Sequence, residues 1–192
     1  MSEMSKLELV SVASYLAGEA NASIRHEYVG GVVHAMAGGS NAHNQIASNG
    51  LIALGSRLRG HSCRAFNSDT KIRLRLPFQV RFYYPDVSVV CRPNPQSDAF
   101  QDEPAVIVEV ASPETWRIDS GEKLEAYTTL PSLSVYLLVE QAAPRVVAYR
   151  RSDGGFVREV YAGLSAVVPL PEIGCDLPLA EIYDGMQFGP DL

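Results

Sequence analysis

Nowhere does the 192-residue sequence hold about 20 consecutive apolar residues, so it lacks the length of apolar chain that a membrane-spanning helix needs. Its first residues, MSEMSKLELVSVAS, lack the basic start and apolar centre of a secretory signal, and a soluble cytoplasmic protein is expected. Cysteine is scarce. Cys63, Cys91 and Cys175 are odd in number, far apart and without CxxC spacing, which supports neither a disulfide framework nor a cysteine zinc site; they read as buried or half-buried thiols. Positive charge is also short: 16 Lys and Arg stand against 22 Asp and Glu, a net charge of -6, which counts against a strongly electropositive nucleic-acid binder without excluding a local basic surface. Internal repeats, low-complexity tracts and long linkers are missing, and no zinc finger, base-reading helix or aromatic platform for single strands is recognisable, which leaves specificity open.

What is present is an ordinary globular composition, 46% hydrophobic, which suits one domain over residues 1–192 with a core spanning 25–140 and a C-terminal strand pair and covering tail over 141–192. Leu9, Val12, Ala13 and Leu16 lie near helical spacing, predicting a first helix over Leu7 to Gly18 capped by Ser5 or Ser11. Alternation on either side of Gly30-Gly31 predicts a hairpin with Glu27 on its first strand. Ile46, Leu51, Leu54 and Leu58 predict a helix starting at Ser40 or Asn41 and stopping at Gly60. Three strands are expected next, CRAFNSDTKIRLRL, RFYYPDVSVVC and PAVIVEVAS, with a polar loop over Arg92 to Glu103 between the last two. A helix from Pro113 or Ser120 to Leu130, the strand SVYLLVE, and a strand pair around Gly154-Gly155 follow. The Pro-rich tail is expected to cover the core and to end in a short helix or turn at AEIYDGM.

Two of the apolar runs each carry one carboxylate: Asp86 in YYPDVSVV and Glu109 in PAVIVEVAS. An unpaired carboxylate buried in such a strand costs several kcal/mol, in order of magnitude, unless it is neutralised, paired or bound to a metal. Two of them on neighbouring strands point to a divalent-cation site, since hard cations take oxygen donors and keep some of their waters. Glu27 and Asp69 complete the set of available acids. Lys123, on the helix directly after the Glu109 strand, can point back to that strand's end as a compact point charge. His43 sits at a helix start, a position for capping or second-layer support of the acids. Each has a bland alternative: Asp86 and Asp69 as turn residues, Glu27 as an exposed strand residue, Lys123 as half of a helical pair with Glu122 or Glu125. Arg57, Arg59, Arg64, Lys71, Arg73, Arg75 and Arg81 gather in mid-chain without a matching set of acids, forming either an electropositive surface or the solvated face of a sheet.

The ordered series EYVGGVVHAMAGGSNAHNQI, CRAFNSDTKIRL, YYPDVSVVC, PAVIVEVASPET and DSGEKLEAYTTLPSLSVYLLVE resembles the Uma-two family of restriction endonucleases, within the PD-(D/E)XK nuclease superfamily. The resemblance runs from about Ser11 to Tyr183. It implies a restriction-endonuclease-like α/β (α+β) fold, a mixed central sheet flanked by helices, with an N-terminal helix and hairpin. It also implies a metal held where two central strands diverge, with Asp86 and Glu109 as the paired acids and Glu27 as the family's additional glutamate. Two residues beyond the second acid the superfamily carries lysine and this chain carries Ala111, so the resemblance passes that role to Lys123. Gly30 stands where relatives often have Asp or Asn, in the hairpin turn.

The leading expectation is a Mg²⁺-dependent DNA endonuclease, with Mn²⁺ as a substitute. One metal would be held by Asp86, Glu109 and the backbone carbonyl of Val110, with Glu27 acting directly or through water, Lys123 orienting the attacking water, and Asp69 and His43 behind them. Clustered acids of this kind should raise at least one carboxyl pKa. Trp116 and Arg117 stand where they can meet substrate or pack at the rim. Two other readings remain open: a nuclease-fold DNA-binding or accessory protein without turnover, and a dimeric structural or interaction protein whose acids form buried pairs. A homodimer suits cleavage of both strands of a duplex.

Overall fold

The computed structural model describes residues 9–112 and 115–188, so the expected helix start at Leu7, its cap at Ser5, and the expected start at Pro113 lie outside the described residues. Ser11 caps helix α1 (Val12–Glu19), its hydroxyl accepting the Ser14 N–H at 3.1 Å. The helix starts later than apolar spacing predicts because the Val10 N–H donates to the Gly31 carbonyl, which holds the preceding chain against the hairpin. That hairpin is β1 (His26–Val29) and β2 (Val32–Ala35), and its turn places Gly30 and Gly31 at φ 57° and 103°, where a side chain is strained. Helix α2 (Asn41–Arg57) is capped by Ser40 and buries Ile46 and Leu54, as its periodicity predicts.

The two long stretches after α2 each divide into two strands. CRAFNSDTKIRLRL forms β3 (Arg64–Asn67) and β4 (Lys71–Leu76), separated by a turn closed by the Thr70 N–H on the Asn67 carbonyl. RFYYPDVSVVC contributes to β5 (Gln79–Tyr83) and β6 (Val87–Val90), and the break falls at Pro85, which has no N–H for a ladder. The expected polar loop contains a short strand, β7 (Phe100–Gln101), and PAVIVEVA is β8 (Pro104–Ala111). A π-helical turn (Ile118–Lys123) runs into the short α3 (Leu124–Thr128), followed by β9 (Val135–Glu140), β10 (Arg145–Ser152) and β11 (Gly155–Ala162).

These strands build two mixed sheets. The first has the order β2-β1-β5-β4-β7, and the second β11-β10-β9-β8-β6-β3. Only the β4–β7 and β8–β9 pairings are parallel within them. Between the sheets, Ile72, Leu74 and Tyr83 of the first meet Ile107, Tyr136, Leu138 and Val147 of the second, together with Ala126 and Tyr127 of α3. Full burial of side chains of this size contributes about 1.5–3 kcal/mol each. The opposite face of the second sheet, with Val87, Val108 and Val110, is covered by α2 and the C-terminal segment. Helix α1 covers the other face of the first sheet through Tyr15 on Tyr28 and Phe82. The α+β class and the mixed strand directions are as expected, while the single central sheet that was expected is divided into two.

Three sequence expectations are corrected. Cys63 and Cys91 form a disulfide, leaving Cys175 free: β3 pairs antiparallel to β6 with Arg64 opposite Val90, so the residues just outside that pair face each other. A separation of 28 residues carries no such signal in the sequence. The tail is more than a cover, since β12 (Val167–Leu170) and β13 (Cys175–Pro178) form a two-stranded sheet, ahead of the one-turn α4 (Leu179–Ile182). Four of the mid-chain arginines, Arg57, Arg73, Arg75 and Arg81, do find acids from distant segments. Arg57 binds Glu181 through both nitrogens at 2.7 and 2.6 Å, Arg73 binds Asp102 twice at 2.7 Å, and Arg81 meets Glu122 at 3.1 Å. No helix among the described residues is long and apolar enough to cross a membrane.

Candidate active site

The register of β6 on β8, Val87 with Val108 and Ser88 with Ile107, extends by one step to set Asp86 opposite Glu109. Side chains directly opposite on antiparallel strands have Cβ atoms about 5 Å apart, so the two acids are neighbours because of sheet geometry. Asp86 precedes the strand, and its Oδ2 accepts the Val110 N–H at 2.7 Å, where a ladder carbonyl would otherwise stand. His43 reaches the same oxygen, with Nε2 at 3.2 Å. The histidine is held there by the α2 cap, since the Ser40 hydroxyl accepts its N–H at 3.1 Å.

Glu27 arrives from the other sheet. Pairing of Tyr28 with Phe82 puts it beside the β5 end, where it receives a long, weak bond from the Tyr84 N–H at 3.5 Å. Behind Tyr84, Glu19 accepts the Tyr84 hydroxyl at 2.8 Å and the His26 N–H at 2.9 Å, fixing the chain on its approach to Asp86. Burial disfavours ionisation of Glu19, yet these bonds from His26 and Tyr84 outweigh it and hold its carboxyl below the usual range.

Lys123 ends the π-helical turn and lies among these acids, 3.1 Å from Glu27, 3.3 Å from Glu109 and 3.7 Å from Asp119. Burial works against its charge, but the Glu109, Glu27 and Asp119 carboxylates outweigh burial and hold its pKa above the ordinary lysine value. It is a fixed cation, and the expected helical pairs with Glu122 or Glu125 do not form: Glu122 turns to Arg81 and to the Tyr83 hydroxyl at 3.0 Å. The Glu109 pKa is raised, first by burial and then by Asp86, Asp119 and Glu27, against the opposing pull of Lys123. Asp119 is raised by the same balance, burial first. His43 is raised by its bond to Asp86, against burial. The neighbouring acids add to the rise at Glu109 as expected, but burial is its largest cause.

Of the residues singled out in the sequence, Asp86, Glu109, Glu27, Lys123 and His43 converge. Asp69 does not: it is an exposed turn residue paired with Arg25 at 3.2 Å. Asp119, which sequence reasoning passed over, does join, and its one available signal was its placement four residues before Lys123 on a helical segment, the spacing at which side chains meet.

The donor set suits a hard divalent cation. Asp86 Oδ1 and Glu109 Oε2 take no hydrogen bond from the described residues, their sister oxygens being held by Val110 N–H and Lys123. Four carboxylates face one lysine and one histidine, which leaves negative charge for a cation to neutralise. No three His, Cys, Asp or Glu side chains among the described residues converge as a ready-made chelate. Lys123 already holds Glu27, so the protein donors that fit are two carboxylates and a strand carbonyl, with waters for the remainder.

Two sheets closing over a buried carboxylate–lysine centre define the molecule as an α+β protein of nuclease-like fold. The same architecture is found in the crystal structure of a putative nuclease belonging to DUF820 from Anabaena variabilis ATCC 29413, with TM-score 0.72 and 17% identity over 91% of this chain and 97% of that one. Residues 12–180 match the Uma2 family model, described as "Putative restriction endonuclease", and the chain belongs to that family. It is 33% identical over 180 residues to the uncharacterized protein slr1290 of Synechocystis sp., covering 93% of this chain and 94% of that protein. A second uncharacterized Synechocystis protein, sll1609, is 30% identical over 147 residues, or 75% of this chain and 82% of the relative.

Proposed function

We propose that the protein is a Mg²⁺-dependent endonuclease that hydrolyses phosphodiester bonds in DNA, acting in the cytoplasm as a homodimer. The observation that carries this reading is the pairing of Asp86 with Glu109 across β6 and β8, each with one oxygen that takes no hydrogen bond from the described residues, beside a buried ammonium. Asp86, Glu109 and the Val110 carbonyl would hold the ion, with Mn²⁺ able to replace it and Glu27 assisting through water or through Lys123. When bound, a divalent ion polarises the phosphoryl oxygens and makes water a stronger nucleophile near neutral pH.

The chain's own residues have separate tasks. Lys123, held charged by its carboxylates, is a hydrogen-bond donor to water and a counter-charge for a pentacovalent phosphate, and a poor proton donor. Asp119 and Glu27 restrict the ammonium to one position. His43 steadies Asp86 from the second layer. Tyr83, whose hydroxyl is pushed up to about 12 by burial, stays neutral and packs under Lys123 at 5.7 Å.

The test is calorimetric titration of Mg²⁺ and Mn²⁺ into metal-stripped protein, followed by nicking of supercoiled DNA. Binding near one ion per chain that disappears in Glu109→Ala, together with nicking lost in the same variant, is the expected result. Nicking by Asp86→Ala at the wild-type rate would sink the mechanism. One observation favours a second reading, a structural or accessory protein: Lys123 already neutralises part of the buried charge. On that reading Glu109→Gln would leave stability unchanged or improved and no metal would support cleavage.

A further inference from the structure

Beside the carboxylate centre, a cleft of about 300 Å³ opens between the ends of the parallel strands β8 and β9. Ala111, Ser112, Trp116, Glu140, Gln141 and Arg145 line it. Its floor, Ala111, lies two residues beyond Glu109 on one strand, and a strand's period of two puts both on the same face. One wall is the end of β9, where the Gln141 N–H donates to the Ala111 carbonyl at 3.2 Å. The other wall is Trp116, which enters the segment that carries Asp119 and Lys123. Its N–H donates to the Ser112 carbonyl at 2.9 Å, and its carbonyl accepts the Ser120 hydroxyl at 2.5 Å. Gln141 also ties the cleft to the centre from behind. Its Oε1 accepts the Ser40 hydroxyl at 3.2 Å, and Ser40 caps the helix turn from which His43 reaches Asp86.

The lining chemistry is specific. Trp116, the one tryptophan of the chain, is half-buried, packing against the inter-sheet layer while lining the cleft. Among the described residues the Gln141 amide nitrogen makes no hydrogen bond, since only its oxygen is engaged. Arg145 lies 3.1 Å from Glu140, so the cleft has little net positive charge, which disfavours a free phosphate as its occupant. An aliphatic ligand would cover the Gln141 amide nitrogen without giving it a partner. A flat heteroaromatic ring with donors and acceptors on its edge satisfies both walls, and the volume lies at the lower end of small-ligand sites.

We propose that this cleft is a nucleobase subsite that takes one unpaired base of the substrate strand, next to the phosphodiester addressed by the acids. The subsite rests on the nuclease reading for its position in the reaction, and on the cleft itself for its ligand. A paired base cannot present its face to Trp116, so the subsite favours single-stranded or locally opened nucleic acid over intact duplex. Stacking on an aromatic ring of this kind is worth roughly tenfold or more in affinity.

The experiment follows Trp116 emission, in EDTA, as a short single-stranded DNA oligonucleotide and its blunt duplex are added in turn. Binding of the fluorescein-labelled oligonucleotide to Trp116→Ala, Trp116→Phe and Gln141→Ala is then measured by anisotropy. Saturable quenching by the single strand is expected, with about tenfold weaker binding by the duplex, a similar loss in Trp116→Ala, and near-complete rescue in Trp116→Phe. Circular dichroism of each variant establishes that it is folded. If the wild type cleaves DNA with Mg²⁺ but the single strand leaves Trp116 emission unchanged, or if Trp116→Ala binds both substrates as the wild type does, the subsite is overturned while the nuclease reading stands. If quenching and its loss in the variants are seen but no metal supports cleavage, the subsite holds and the nuclease reading fails.

Discussion

Lys123 is the residue on which the centre's electrostatics turn. Three carboxylates lie within 3.7 Å of its ammonium, and removing it leaves them buried without a counter-charge. Breaking a buried ion pair by deleting one partner typically costs about 3–5 kcal/mol, mainly because the partner is stranded, whereas deleting both charges costs far less. Lys123→Met is therefore expected to lose about that amount of unfolding free energy in urea titrations at neutral pH, and Lys123→Met with Glu109→Gln to recover part of it. Equal losses in the single and double variants would show that the interaction is packing, with charge incidental. The same reasoning explains which site residues are readable from sequence. Asp86 and Glu109 stand out because each interrupts an apolar run, where an acid has no cheap explanation. Asp119 sits in RIDSGEK, a polar stretch where an acid attracts no notice, and only the π-helical turn carries it inward. Asp69 fails for the converse reason: NSDT is turn chemistry, and the turn keeps its acid at the surface.

At the scale of elements, periodicity identifies α2, the Gly30-Gly31 hairpin, β8, β9 and the β10–β11 pair, each of which has one dominant apolar face or a clear turn. It does not show that CRAFNSDTKIRLRL and RFYYPDVSVVC each pass from one sheet to the other, because both halves of each stretch are extended and only long-range pairing distinguishes them. The Cys63–Cys91 bond depends on that same pairing, since it joins the ends of β3 and β6 across the edge of the second sheet. Closing a loop between cysteines 28 residues apart restricts the unfolded chain by about 3–4 kcal/mol in the loop-entropy account. For a chain of this size that corresponds to about 10 °C in thermal midpoint. Cys63→Ser with Cys91→Ser, or the wild type under strong reductant, is expected to melt lower by that order, with secondary structure retained at 25 °C as read by circular dichroism. An unchanged midpoint would mean that the bond adds nothing to a pairing already fixed by Val87 and Val89 against Asn67 and Ala65.

For the whole molecule, the centre exists only while both sheets are in place. Glu27 belongs to the first sheet, Asp86 and Glu109 to the second, and Lys123 to the segment wedged beside them. The chain passes between the sheets repeatedly, through α2, at Ser68–Thr70, at Tyr84–Asp86 and on either side of β7, and the apolar layer that joins them draws from each: Ile72, Leu74 and Tyr83 on one side, Ile107, Tyr136 and Leu138 on the other. Each sheet keeps the outer apolar face that α1 or α2 covers, but its inner face is left largely open to water if the other sheet leaves. Separate melting of the two is therefore disfavoured, and one cooperative transition is expected. Two probes report on different places: far-ultraviolet circular dichroism follows all the strands, while Trp116 emission follows the segment next to the carboxylate centre. In guanidinium titrations the two curves should coincide in midpoint and slope, the test of a two-state transition. An earlier Trp116 transition would mean that the π-helical turn and α3 open while the sheets persist. The centre would then be a locally unstable lid over a stable scaffold, and Lys123 would be free to leave its acids without unfolding the protein.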